Sequence, residues 1–364
     1  MNMDYPPPDG TPPHGGDVFH LARTLGVRVE DLLDFSANIN PLGYPAGVPE
    51  AVQAALVDLV HYPDRRCLEL RRDLARYHGL LPEEILVGNG STELIYLVVR
   101  ALQPARALIV APAFSVYQEA LEMARVPYEF HLTHESGRFT LEQLPEAPAA
   151  ELVFLANPAS PSGALLSPER LLSWLKAWDA AGVFVALDEA FIDFVEEASL
   201  KTSLSRFPRL ILLRSFTKFF AIPGLRLGYL LAAPELIARL AAMQEPWSVS
   251  TLAQAVGRAC LQDQDYMART RSLVSEARRH LYQGLQALPG LTPFPGEANY
   301  LLAKLTLPGW TARRLREGLL SRGIIIRDAS NFKGLDERYI RVAVRRLEDN
   351  DRLLAALAAC LGQK

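Results

Sequence analysis

The sequence predicts an α/β fold on a mostly parallel sheet with a smaller α+β part behind it, and three observations carry that expectation. Short β-branched or apolar runs alternate with longer helical patterns: ILVG at 85, ALIVAP at 107, ELVFLANP at 151, VFVALDEA at 183, LILLRSF at 210 and LGYLLA at 227. The runs are apolar throughout and do not alternate, as expected of parallel strands covered by helices on both faces. From about Trp247 the rhythm stops; helical patterns cover roughly 250 to 288, and NYLLAKL, GIIIRD and YIRVAVR follow as strands.

At 364 residues the chain exceeds one ordinary core, which stops growing near roughly 250–300 residues, so a large and a small domain are expected. Residues 1–40 read as an N-terminal arm and the start of the small domain, 41–246 as the large domain, and 247–364 as long linking helices and the C-terminal small domain. The arm is Pro-rich up to residue 16, cannot form a helix there, and is expected to lie extended. Helices linking the strands are expected near 91–102, 115–124 and 168–181. In open sheets of this kind ligands bind beyond the carboxyl ends of the strands, so the residues just after each run are the first candidates for function.

Apolar residues make up 49% of the chain and charged residues 22%, the mixture of a globular protein. A net charge of -3, without any Lys/Arg block, argues against a nucleic-acid partner. Cys67, Cys260 and Cys360 are far apart and lack CxxC or Cys/His ligand spacing, which reads as reduced thiols and no metal site. The start MNMDYPPPDGTPPHGGD lacks the basic and apolar regions of a signal peptide, and no stretch of about 18 apolar residues follows. The expectation is a cytoplasmic protein with no membrane association.

The string SFTKFFAIPGLRLGY follows the run LILLR and sets Ser215, Thr217, Lys218 and Arg226 at or just beyond a strand end. A single lysine is ordinarily a solvated surface group. Lys218, however, lies among Phe216, Phe219, Phe220 and Ile222, surroundings that desolvate an amine, lower its pKa and make it nucleophilic toward an aldehyde. Three further strand ends carry polar groups: Asp188 in LDEAF, Asn157 in ANP, and Gly90, Ser91 and Thr92 in GNGST. Each has an ordinary reading alone, Asp188 as a cap and GNGST as a plain strand-to-helix turn. GNGST also opens the helical pattern ELIYLVVRAL, whose free N–H groups and dipole favour an anion.

These four strand ends together resemble the fold-type-I pyridoxal-phosphate enzymes, in the histidinol-phosphate aminotransferase branch, over nearly the whole chain. The resemblance implies an aspartate-aminotransferase-like fold with a mostly parallel seven-stranded sheet in the large domain. It implies that Lys218 carries pyridoxal 5'-phosphate and later moves the proton at the substrate's Cα, and that Asp188 sits beneath the pyridine nitrogen. Gly90, Ser91, Thr92, Ser215 and Arg226 match the phosphate ligands, and Asn157 the donor to the phenolic oxygen. Phe114, in APAFSVY, matches the ring-stacking aromatic, although it serves equally as core. Tyr62, in HYPD, matches a tyrosine that reaches the neighbouring subunit's cofactor, which implies a homodimer with shared sites; an isolated Tyr is more often half-buried packing. One position departs from the pattern: Phe191 stands where DEAY supplies a tyrosine hydroxyl.

HGG at 14–16 and LLDFSANINPLG at 32–43 resemble the threonine-phosphate decarboxylase family of cobalamin biosynthesis more than its aminotransferase cousins. That resemblance implies conversion of L-threonine O-3-phosphate to (R)-1-amino-2-propanol O-2-phosphate and CO₂; the alternative is histidinol-phosphate aminotransferase activity with 2-oxoglutarate. A phosphorylated amino acid needs further cations, and His14, Arg327 and Arg341 are the candidates, with Lys333 as an additional guess. Gly15, Asn38 and Asn157 complete the expected substrate pocket, although Asn38 before a Pro turn is also an ordinary turn former.

Overall fold

The computed structural model describes residues 15–135, 139–140, 144 and 148–362. Seven strands form the large sheet: β1 Ile85–Gly88, β2 Ala107–Ala111, β3 Tyr128–Leu132, β4 Leu152–Ala156, β5 Phe184–Asp188, β6 Leu210–Ser215 and β7 Gly228–Leu231. Their spatial order is β1-β7-β6-β5-β4-β2-β3. Only β7 runs antiparallel to its neighbours; the other pairings are parallel. The fold is α/β and mostly parallel, as the alternation of apolar runs and helical patterns predicts.

Side chains alternate across this sheet, and two cores result. Ile109, Phe154, Ala186, Ile211 and Leu213 share one buried cluster with helix α1 (Gly90–Leu102) and helix α2 (Val116–Met123). Val153, Leu155, Val185, Leu187, Leu210 and Leu212 join the other, with Trp178 of the helix Pro168–Ala180 and Val256 of the helix Thr251–Gln262. The same alternation decides which residues at the strand ends meet the site.

Behind this lies a four-stranded antiparallel sheet of β8 Leu291–Pro293, β9 Tyr300–Leu305, β10 Arg327–Asp328 and β11 Tyr339–Ala343, in the order β8-β9-β11-β10. The 24-residue helix Gln264–Ala287 leads into it and the helix Leu347–Gly362 follows it. Leu33 and Asp34 pair in parallel with Ile324 and Ile325. The chain after residue 34 is thereby delivered between the two sheets, next to the strand ends.

Within the large sheet one strand is not among the apolar runs. β3 is the edge of the large sheet, its residues are half-buried or exposed, and its sequence YEFHL mixes polar with apolar residues. Beyond it the hairpin His134–Glu135 with Phe139–Thr140 reaches the small domain. Phe139 packs edge-on against Phe294 at 5.0 Å, and Glu135 accepts hydrogen bonds from Lys304 Nζ at 2.7 Å and from the Tyr339 hydroxyl.

The three cysteines are buried and unbridged. Among the described residues no helix is long and apolar enough to cross a membrane, and no cluster of His, Cys, Asp and Glu could hold a metal ion.

Candidate active site

A cavity of about 360 Å³ opens at the carboxyl ends of β4, β5 and β6, and is closed from the far side by residues between 327 and 341, on and around the four-stranded sheet. Asp188 and Ser215, the last residues of β5 and β6, reach it together with Lys218. Strand register sets this arrangement, since Asp188 pairs with Leu213 and Ser215 lies two residues further along the same strand.

Lys218 sits in the four-residue helix Phe216–Phe219, directly after β6. Its backbone carbonyl accepts from the Asn40 N–H at 3.1 Å, and the Asn40 amide donates to Phe219 O at 2.7 Å. The amine is half-buried and lines the cavity. Burial, reinforced by the Arg341 and Arg226 charges, lowers its pKa to about 8. A substantial neutral fraction near neutral pH makes it a usable nucleophile. Asn40 is a positioning residue that sequence reasoning did not single out.

An anion cradle lies beside it. Helix α1 begins at Gly90 with no side-chain cap, so the N–H groups of its first turn are left for a ligand, and Ser91 and Thr92 line the cavity there. Gly90 adopts φ +80°, and a Cβ there would stand 2.7 Å from Arg226 Nη2; the absent side chain is what lets the guanidinium lie over the helix start. Arg226 itself has φ +54°, a sparsely populated conformation for a non-glycine residue. Ser215 Oγ and Thr217 Oγ1, 2.8 Å apart, complete the cradle.

Asp188 is almost wholly buried. Burial pushes its carboxyl up, while the Tyr117 hydroxyl donating to Oδ2 and the Ala190 N–H donating to Oδ1 at 2.9 Å pull it down. Phe114 lines the cavity and meets Tyr117 edge-on, with centroids 6.0 Å apart. Phe191 also lines it, edge-on to Tyr300 at 4.9 Å, so the position without a hydroxyl presents a ring edge instead.

The far side of the cavity is cationic. Arg341 Nη1 donates to Ser160 Oγ at 3.3 Å and Nη2 to Ser36 O at 3.2 Å, and Arg327 Nη2 donates to Asn331 Oδ1 at 2.7 Å. Both guanidiniums are buried, Arg327 beside the Arg341 charge, and their pKa values fall to about 10. Lys333 lines the same wall, its ammonium 5.6 Å from the Phe130 ring. Gly15 packs where a Cβ would collide with Ser36 O at 2.2 Å, which brings the end of the described N-terminal segment onto the cavity. Asn38 Oδ1 and Arg341 Nε are buried and without a hydrogen-bond partner among the described residues. Such orphaned groups are costly unless a ligand meets them.

Not every expected residue reaches the cavity wall. Gly90 supports it through Arg226 without lining it. Asn157 is wholly buried; its Oδ1 accepts from Leu166 N–H at 2.8 Å, which clamps the loop beyond β4. Tyr62 is 80% exposed and stacks on Trp247 at 4.8 Å, away from the cavity of its own chain. His14 lies outside the described residues. Tyr117 and Ser160 were missed; Tyr117 stands three residues after Phe114, the helical spacing that puts two side chains on one face, and that was its available signal.

An uncapped helix start with hydroxyls and an arginine, a cavity-lining amine, a carboxylate and an aromatic ring form the complement of a phosphorylated pyridine aldehyde. The glycine-cleared cradle beside the amine fits pyridoxal 5'-phosphate.

The fold and this donor set define a pyridoxal-phosphate type of site, and comparison with known proteins places it. The chain belongs to the family "Aminotransferase class I and II", whose model matches residues 30–357. It is 40% identical over 349 residues to the threonine-phosphate decarboxylase of Salmonella typhimurium, covering 94% of this chain and 95% of that one. Among solved structures it resembles the L-threonine-O-3-phosphate decarboxylase from Porphyromonas gingivalis, with TM-score 0.81 and 27% identity, covering 91% of this chain and 100% of that one. The histidinol-phosphate aminotransferase from Clostridium acetobutylicum is similar too, with TM-score 0.84 and 28% identity over 92% of this chain and 100% of that one.

Proposed function

We propose that this chain decarboxylates L-threonine O-3-phosphate to (R)-1-amino-2-propanol O-2-phosphate and CO₂, for cobalamin biosynthesis, using pyridoxal 5'-phosphate. The observation that carries the reading is the cationic far wall: Arg327 and Arg341 are buried there, apart from Arg226 at the cradle, so the cavity carries positive charge in a second place that suits a second phosphate. The 40% identity to a threonine-phosphate decarboxylase supports the same substrate.

Bound in the cradle, pyridoxal 5'-phosphate supplies an aldehyde for the substrate's amine and a protonated ring that accepts electrons from its α-carbon. Lys218 provides the neutral amine that holds the cofactor at rest and then returns a proton to Cα. Asp188 keeps the ring nitrogen protonated. Arg327 and Arg341 grip the substrate phosphate, with His14 as a further candidate, and so turn the carboxylate out of the ring plane. Only a bond perpendicular to the ring can give its electrons to it, and orientation of this kind is worth roughly 7 kcal/mol or more. Asn38, with its unpartnered Oδ1 in the cavity wall, would orient the substrate.

The same reading makes the protein a cytoplasmic homodimer. Val57, Val60 and Tyr62 are 75%, 81% and 80% exposed, an apolar surface beside Trp247 that a second copy would cover. Tyr62 would then serve the partner's cofactor.

The reading is tested by giving the loaded enzyme L-threonine O-3-phosphate or L-threonine alone. The phosphorylated substrate should turn over and the free amino acid should be slower by about 100-fold or more. Equal rates would refute anchoring through phosphate. Aminotransfer is the second reading, favoured by the equally close fold of the Clostridium enzyme. It would appear as conversion to the amine form of the cofactor by histidinol phosphate, reversed by 2-oxoglutarate.

A further inference from the structure

Helix α2 carries one side chain that touches two of the cavity's groups at once. The Tyr117 hydroxyl donates to Asp188 Oδ2, and the edge of its ring meets Phe114. The ring itself lies flat on Phe154 of β4, with centroids 4.9 Å apart and planes within 5°. Tyr117 is 1% exposed and Phe154 wholly buried, so neither ring has room to turn. The Ala190 N–H holds the other carboxylate oxygen. Asp188 is therefore held at both oxygens, each of which keeps acceptor capacity, and the residue lines the cavity.

We propose that Tyr117 is the positioning residue for the ring nitrogen of the cofactor: it aims Asp188 at that nitrogen and keeps the carboxylate ionised, while its ring packs at right angles to Phe114. This rests on the pyridoxal-phosphate reading of the cavity. Desolvation and the neighbouring carboxylate push the Tyr117 phenol well above its ordinary value, so it stays protonated and can only donate to Asp188. A buried carboxyl without that donor would hold its own proton more readily and could no longer stabilise a proton on the ring. Hydrogen bonds to a buried charge are the strong ones, and loss of one is felt at the partner.

The test compares wild type with Tyr117→Phe, which keeps the ring and its stack on Phe154. Each cofactor-free protein is titrated with pyridoxal 5'-phosphate and with its 1-deaza analogue, in which carbon replaces the ring nitrogen, following absorbance. Tyr117→Phe should weaken pyridoxal 5'-phosphate binding by about tenfold or more, while the deaza analogue binds both proteins alike. An equal loss with both cofactors would make Tyr117 a packing residue only, and no loss with either would remove it from the site; both results overturn the proposal. Failure of wild type itself to bind either compound would instead strike the pyridoxal-phosphate reading, and is distinguished by that control. Thermal unfolding of the two cofactor-free proteins checks that the fold is kept.

Discussion

Adjacent residues at the same two strand ends do opposite things. Asp188 and Ser215 point to the cavity, whereas their neighbours Glu189 and Arg214 point through the other face of the sheet into a sealed ionic network. Arg214 is wholly buried and meets Glu189 at 3.1 Å, Asp193 at 3.0 Å and Glu196 at 2.5 Å; the Ser199 hydroxyl donates to Glu189, and Lys201 pairs with Glu196. Its partners raise the Arg214 pKa well above the ordinary value despite burial. In the cavity the cations Lys218, Arg327 and Arg341 have their pKa values lowered instead, chiefly by burial and, for Lys218 and Arg327, also by the positive charge of Arg341. The difference separates the roles: charge enclosed among carboxylates holds the strand ends in place, and charge that lines the cavity faces a ligand.

The comparison can be broken from either side. Lys218→Ala should lower turnover by about 10⁴-fold or more, since it removes both nucleophile and proton carrier, and should leave the unfolding midpoint of the cofactor-free protein unchanged or raised. Arg214→Ala should do the reverse to stability. It leaves Glu189 and Asp193 buried without their cation, and denaturant unfolding should show a loss of about 3–5 kcal/mol. Arg327→Ala should raise KM for the phosphorylated substrate by roughly 2–3 kcal/mol in binding, with the already slow reaction of free threonine little changed. Gly90→Ala should weaken cofactor binding by about 1–2 kcal/mol, because a side chain at φ +80° strains the turn and displaces Arg226.

The smallest effect is a pH profile. Lys218 in the cofactor-free protein should react with a small aldehyde at a rate that rises with pH and levels off above about 8, where its amine is neutral, whereas a solvated lysine continues rising toward its ordinary 10.5. The sign for stability follows: between those two values the unfolded chain binds the extra proton, so this residue's contribution becomes less unfavourable as pH rises. A midpoint near 10.5 would show that the cavity does not desolvate it.

The sheet and the lysine were legible because both leave short-range marks. Apolar runs such as LILLRSF are forced by burial on both faces, and polar groups that end such runs stand out against them. The edge strand β3 had no such mark, because solvent on one side lets YEFHL carry charge. Residues that act through tertiary contacts were equally silent. Asn40 looks like a turn former and Tyr117 like core, and their roles depend on partners 178 and 71 positions away, Lys218 and Asp188. Asn157 shows the converse: its position beyond a strand was read correctly, but the side-chain amide is engaged with Leu166, a contact no spacing could reveal.

The central claim is that the cations lining the cavity's far wall hold a phosphorylated amino acid for loss of its carboxylate. The most direct measurement is CO₂ released from L-threonine O-3-phosphate by the protein loaded with pyridoxal 5'-phosphate, with no keto acid present and the cofactor's absorbance followed alongside. Many equivalents of CO₂ per subunit with the aldehyde form retained is the predicted result. No CO₂, with the cofactor driven to its amine form in a single turnover, would contradict it and make the cavity that of an aminotransferase.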